Sequence, residues 1–67
     1  DILSGVTVTR EDTRANYGEL RYQTLGLYQG VVVMLVVHTP RQEVDHIISI
    51  RKADKHEQTY YWKNAIY

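Results

Sequence analysis

Seven consecutive apolar residues, Val31-Val32-Val33-Met34-Leu35-Val36-Val37, dominate the middle of this chain. The run is rich in β-branched side chains and far shorter than the ~20 residues a membrane-crossing helix requires, so it reads as a strand. A strand apolar on both faces sits in the interior of a sheet and needs cover above and below. The whole chain has only 67 residues. Domains of that size bury roughly 60% of their unfolded surface, so each apolar face must find a partner.

The flanking segments supply the rest of a sheet. Val6 to Thr9 alternates and is β-branched, a short first strand. Arg10 to Gly18 is polar, and Asn16-Tyr17-Gly18 reads as a loop. Glu19 to Tyr28 alternates again, with Leu20, Tyr22 and Thr24 on one side and Glu19, Arg21 and Gln23 on the other. Gly26 marks a bulge or a close backbone approach late in that strand. Tyr28-Gln29-Gly30 joins two strand patterns through so few residues that a tight hairpin with Gly30 in the turn is expected. His38-Thr39-Pro40-Arg41-Gln42 should close the central strand, because proline cannot continue a central ladder. Glu43 to Arg51 forms the next strand; alternation puts Val44, His46, Ile48 and Ile50 on one side and Asp45, Ile47, Ser49 and Arg51 on the other.

Asp54 opens a helix. Asp54-x-x-Glu57 has the form of a capping box, in which two side-chain oxygens satisfy orphan amides at the positive end of the helix dipole. Tyr60, Tyr61, Trp62 and Ala65 give the helix its apolar side. The fold class is therefore α+β: an antiparallel sheet of three to four strands with a C-terminal helix, in a single domain. One helix covers one face of a sheet, so the second apolar face is left to another subunit or to a segment absent from this chain.

Composition removes several functions. With no cysteine there is neither a disulfide framework nor a thiolate metal site, and the three histidines have no zinc-like spacing, so no metal or other cofactor is expected. Eight basic residues balance eight acidic ones, which argues against coating nucleic acid by charge alone while leaving room for a small cationic pocket. Asp1 to Gly5 lacks the charged and apolar regions of a secretory leader. The one methionine is Met34, so the chain reads as processed or as a piece of a longer protein.

Arg21 and Arg51 are the first candidates for chemistry. If their strands flank the central one, two guanidiniums converge above the sheet, where they would hold a phosphodiester and stabilise the charge of its transition state. From the residues alone, each arginine more readily reads as the ordinary partner of a nearby carboxylate, Glu19 or Asp45, on a solvated strand face. Glu19 and His38 are candidates for proton transfer in strand cleavage by the RNA's own 2′-hydroxyl, a reaction that needs a base and an acid but no metal. A histidine at the end of a central strand also commonly makes only a local hydrogen bond. His46 reads as half-buried or interfacial, and His56 as solvated. Tyr60-Tyr61-Trp62 has the chemistry to stack on bases, and also the spacing of a helix face in the core.

Taken in order, Asp12, Arg14, Tyr17-Gly18-Glu19, Arg21, Gly26, Gly30, His38-Thr39, Arg41, Ile47-Ile48-Ser49, Arg51-Lys52-Ala53, Glu57 and Tyr61 resemble the BrnT family of type II toxin–antitoxin ribonuclease toxins. The resemblance runs along nearly the whole chain. It implies a RelE-like fold and a cytoplasmic, metal-independent endoribonuclease that stops translation by cutting RNA. It also implies neutralisation by a BrnA-like antitoxin. By the same resemblance Arg21, Arg51, Glu19 and His38 would be catalytic, and Arg41 and Lys52 would bind RNA.

The chain departs from the family pattern twice. Family members usually begin with a Phe-x-Trp-Asp segment and a lysine-rich helix, which this chain lacks, so it is expected to be N-terminally incomplete and to pair as a homodimer through its uncovered face. They also often carry an arginine before Ile-Ile-Ser, where His46 stands here; that change would weaken cleavage or move the cationic task onto Arg51 and Lys52. The alternative to an enzyme is a non-enzymatic interaction module, a toxin remnant or self-associating domain that binds an antitoxin-like partner. A free nucleic-acid-binding domain ranks third, since the net charge is zero.

Overall fold

The computed structural model describes residues 3–13, 18–41 and 44–65; the side chains of Ser4 and Arg41 lie outside that description, as do Arg14, Asn16 and Tyr17. Four strands, β1 (Leu3–Glu11), β2 (Tyr22–Tyr28), β3 (Val32–Arg41) and β4 (Val44–Lys52), precede one helix, α1 (Lys55–Ala65). They form a single antiparallel sheet in the order β1-β2-β3-β4. The architecture is the α+β arrangement expected from the residue pattern.

The apolar run does occupy an inner strand, although Val31 itself belongs to the preceding turn and is exposed. That turn has Gln29 at φ 54° and Gly30 at φ 74°, and the Val31 amide donates to the Tyr28 carbonyl at 3.1 Å. Two consecutive positive φ values are the signature of the primed turns whose twist matches a hairpin. Val33, Leu35 and Val37 then point to one side of β3. There they join Leu25, Ala53, Tyr61 and Ala65 in the core, beneath α1. Val36 lies on the other side, which α1 does not reach; it is buried there too, with Leu3 and Thr7 of β1 lining the same depression.

Proline does not end β3 as expected. Pro40 pairs with Asp45 and the strand runs on to Arg41. The reason is position: β2 pairs with β3 only as far as Tyr22 opposite His38, so Pro40 stands where β3 has a single neighbour. A strand segment with one neighbour tolerates a residue that cannot donate.

A larger departure is in β4. Val37 faces Ser49 but His38 faces Ile47, so Ile48 is an extra, bulged residue. The bulge reverses the alternation on one side of itself. Asp45 and Ile47 thus share a face with Val36 and His38, whereas Ser49 and Arg51 share the helix-side face with Val37 and Leu35. The strict alternation read from the sequence had put Asp45 and Arg51 together.

β1 is bulged too. Ser4 faces Leu27 and Val8 faces Leu25, so Gly5, Val6 and Thr7 all stand opposite Gly26. The bulge turns the Val6 carbonyl toward α1, where the Tyr61 hydroxyl donates to it at 2.8 Å from an almost fully buried ring. Gly26 is where the folded-over β1 comes closest. A Cβ built there would lie 2.8 Å from Leu3 Cδ1 and 3.1 Å from both Leu3 Cβ and Thr7 Cγ2. Gly26→Ala is therefore expected to destabilise the fold by about 1–2 kcal/mol through overpacking, measured as a lowered urea midpoint at unchanged slope.

Candidate active site

α1 is locked to the sheet by one carboxylate. Asp54 Oδ1 accepts from the Glu57 amide and Glu57 Oε1 accepts from the Asp54 amide, both at 2.9 Å, completing the capping box. The same Glu57 carboxylate takes both arms of Arg51: Nη1 donates to Oε1 at 2.9 Å and Nη2 to Oε2 at 2.8 Å. Glu57 is buried. The Arg51 hydrogen bonds hold its carboxyl below the ordinary glutamate value of 4.5, against the opposing effect of burial, and the Asp54 amide and the charges of Arg51 and Arg10 add to the lowering. Arg10 belongs to this side as well. Its Nε donates to Gln23 Oε1 at 2.9 Å and its guanidinium lies 4.3 Å from the centre of the Tyr60 ring.

Arg21 lies elsewhere. Its Nη2 is 3.3 Å from Glu19 Oε2, and both side chains are partly buried just before β2 begins. Tyr22 is level with His38, whereas Arg51 is level with Leu35. Arg21 and Arg51 are thus offset by four strand residues, roughly 13 Å along the sheet, and also lie on opposite sides of β3. The structure does not bring the two guanidiniums together. Each is instead engaged with a carboxylate, Arg21 with the anticipated Glu19 and Arg51 with Glu57 rather than Asp45.

The face away from α1 holds a different cluster. Leu3 and Thr7 from β1, Thr24 from β2, Val36 and His38 from β3 and Asp45 and Ile47 from β4 line a shallow depression of about 450 Å³. Its walls are mostly apolar, and its polar groups form a connected chain. Thr9 Oγ1 and Thr24 Oγ1 are 2.9 Å apart, Thr24 Oγ1 and His38 Nε2 2.7 Å, and His38 Nδ1 and Asp45 Oδ1 3.1 Å. The Tyr22 ring tilts against the imidazole at a centroid distance of 5.9 Å. An imidazole fixed at both nitrogens and bordering a groove has the equipment for proton transfer.

Of the other expected site residues, Lys52 pairs with Met34 on this open face but at the far end from His38, and is exposed. Arg41 closes β3 opposite Val44, and its side chain falls outside the described residues. His46 is exposed rather than half-buried, and Trp62 is exposed while Tyr61 is core. Among the described residues no three His, Asp or Glu side chains gather as a metal cluster. Sequence reasoning passed over Thr24 and Asp45 as partners of His38. Thr24 was placed on the correct side of its strand, but Asp45 was hidden by the bulge at Ile48.

Arg51→Ala would leave the Glu57 carboxylate buried with one fewer charged partner. The expected loss is about 1–2 kcal/mol, discounted for the half-exposed arginine. Because the folded carboxyl titrates below its ordinary value, its stabilisation is present above pH 4.5 and disappears as pH falls below that. Wild-type thermal stability should drop through this acid range, and Glu57→Gln should flatten part of that drop.

Comparison with protein families matches residues 2–57 to ribonuclease toxin BrnT of type II toxin–antitoxin systems. No curated protein matches the chain. The matched segment spans all four strands and ends on the carboxylate that locks the helix. The chain belongs to the BrnT family of ribonuclease toxins.

Proposed function

We propose that this chain is a toxin that cuts RNA without a metal, and that cleavage takes place on the open face of the sheet around His38. The observation that carries the reading is the imidazole held between Thr24 and Asp45 beside a groove that α1 leaves uncovered. In this reaction the RNA's 2′-oxygen attacks the adjacent phosphorus, the bond to the 5′-oxygen breaks, and a 2′,3′-cyclic phosphate remains. His38 receives the 2′-hydroxyl proton.

Arg21 lies at the same end of the sheet as His38 but alternates with Tyr22 onto the side of Gln23, so we assign it to the RNA backbone passing that end of the sheet rather than to the reacting phosphate. Glu19 keeps that guanidinium in place before substrate arrives. Arg41 and Lys52 bind the RNA backbone on either side. Arg51 takes a structural role, since its fork is committed to Glu57. We read the sheet and single helix as a RelE-like fold acting in the cytoplasm and inhibiting translation, with a BrnA-like antitoxin closing the open face. Among the described residues no helix is long and apolar enough to cross a membrane.

A second reading has its own observation. Every residue of β4 is exposed, with Val44 at 66%, Ile47 at 51% and Ile48 at 42%, on an edge strand. An apolar edge of that kind favours self-association or strand addition by a partner. If the chain were only a non-enzymatic interaction module, it would form a homodimer or bind an antitoxin-like protein without cutting RNA.

His38→Ala separates the two. The enzyme reading expects RNA cleavage by the purified chain to fall by about 10²–10⁴-fold, with growth inhibition lost and the thermal midpoint little changed. Arg21→Ala should likewise reduce cleavage more than stability. Cleavage that is absent from wild type, or indifferent to His38, would leave the interaction module standing.

A further inference from the structure

We infer that His38 exchanges its proton through the hydroxyl of Thr24, and that Asp45 is the positioning residue that sets the ring in the tautomer this requires. The inference rests on the ribonuclease reading for its catalytic half. Its positioning half stands on the structure of the free protein.

The hydrogen-bond chain crosses the sheet diagonally and uses one residue from each strand: Thr9, Thr24, His38 and Asp45. Its chemistry permits one direction in the neutral ring. An ionised carboxylate only accepts, so the proton on the imidazole must sit on Nδ1, which lies 3.1 Å from Asp45 Oδ1. Nε2 is then a bare lone pair, and the Thr24 hydroxyl, 2.7 Å away, must donate to it. Thr24 Oγ1 keeps its acceptor side for the Thr9 hydroxyl at 2.9 Å. Had Nε2 carried the proton, Nδ1 and the carboxylate would have faced each other as two acceptors.

The same contacts decide what a substrate meets. The His38 side chain is only 15% exposed, and both of its nitrogens are occupied. Thr24 borders the depression and carries a lone pair toward the exposed Thr9 side. A 2′-hydroxyl entering there takes the place of Thr9 as donor to Thr24. Its proton passes to the Thr24 oxygen as the proton of Thr24 passes to Nε2. One proton thus moves from the 2′-oxygen to the imidazole, and Thr24 is unchanged. The 2′-oxygen bonds to phosphorus, and the 5′-oxygen leaves with a proton from water. The imidazolium now donates from both nitrogens, to Asp45 and to Thr24, and returns its proton to the hydroxide left by that water. Asp45 stabilises the imidazolium through this step, and its own exposed carboxylate is not consumed.

Two measurements on the full chain test the inference. Long-range 15N–1H correlation spectra at neutral pH report the His38 tautomer without any RNA. The expected result is Nδ1–H in wild type and a shift toward Nε2–H in Asp45→Ala. Nε2–H as the wild-type form would overturn the assignment to Asp45. For the relay, Thr24→Val is expected to lower kcat for RNA cleavage by about 10²-fold with KM changed far less, and Thr24→Ser to recover most of the loss. Urea midpoints confirm that both variants fold. A folded Thr24→Val that cleaves like wild type overturns the relay and leaves the ribonuclease reading intact. Wild-type protein that cuts no RNA overturns both the ribonuclease reading and the relay, while the tautomer still decides the role of Asp45.

Discussion

The carboxylate of Glu57 joins local and long-range structure in this chain. It caps its own helix through the Asp54 amide and accepts both arms of a guanidinium from β4. A helix of 11 residues is marginal alone, because nucleation fixes several residues before hydrogen bonds repay the cost. Packing of Tyr61 and Ala65 against Leu25, Leu35 and Val37 supplies most of its stability. That packing needs the helix to start at one place and leave the sheet in one direction. The Arg51–Glu57 fork sets both, and Tyr61, reaching the bulged carbonyl of Val6, sets them again at the far side of the sheet.

One consequence is the division of the sheet into two faces with different tasks. The helix side takes Arg10, Gln23, Arg51 and Glu57 into contacts that hold the structure together. The other side is not reached by α1, and carries His38, bonded through both ring nitrogens. Binding energy and chemistry have room there because folding has not used that surface. It is also the face where Ile47, half exposed, gives a partner something to cover. Activity and inhibition by a partner would then compete for one surface, which suits the toxin family to which the chain belongs.

Much of this was legible in the residues, for local reasons. A capping box, a glycine turn and a seven-residue apolar run each carry their signal within a few positions; the cap and the turn formed where expected, and the run became an inner strand that starts one residue later and extends to Arg41. That the single helix reaches only one face of the sheet was legible too. The candidate site was only half legible. His38 was identifiable as a histidine at the end of an inner strand, but its partner Asp45 was assigned to the face of Arg51. A single extra residue at Ile48 reverses every side chain on one side of it, and nothing in Ile47-Ile48-Ser49 announces which residue will bulge. The choice of Glu57 over Asp45 as the partner of Arg51 was lost by the same error. Pro40 was misjudged because the extent of β2, a non-local fact, determines whether β3 has one neighbour or two at that point.

The claim on which the functional account turns is that RNA is engaged on the face opposite the helix. A titration of 15N-labelled protein with a 2′-O-methyl RNA oligonucleotide, which binds but cannot be cut, tests it most directly. Amide shifts are expected to concentrate at Thr24, Val36, His38, Asp45 and Ile47, with α1 nearly silent. Shifts centred on Lys55, Thr59 and Trp62 of the helix instead, with the open face unmoved, would contradict it.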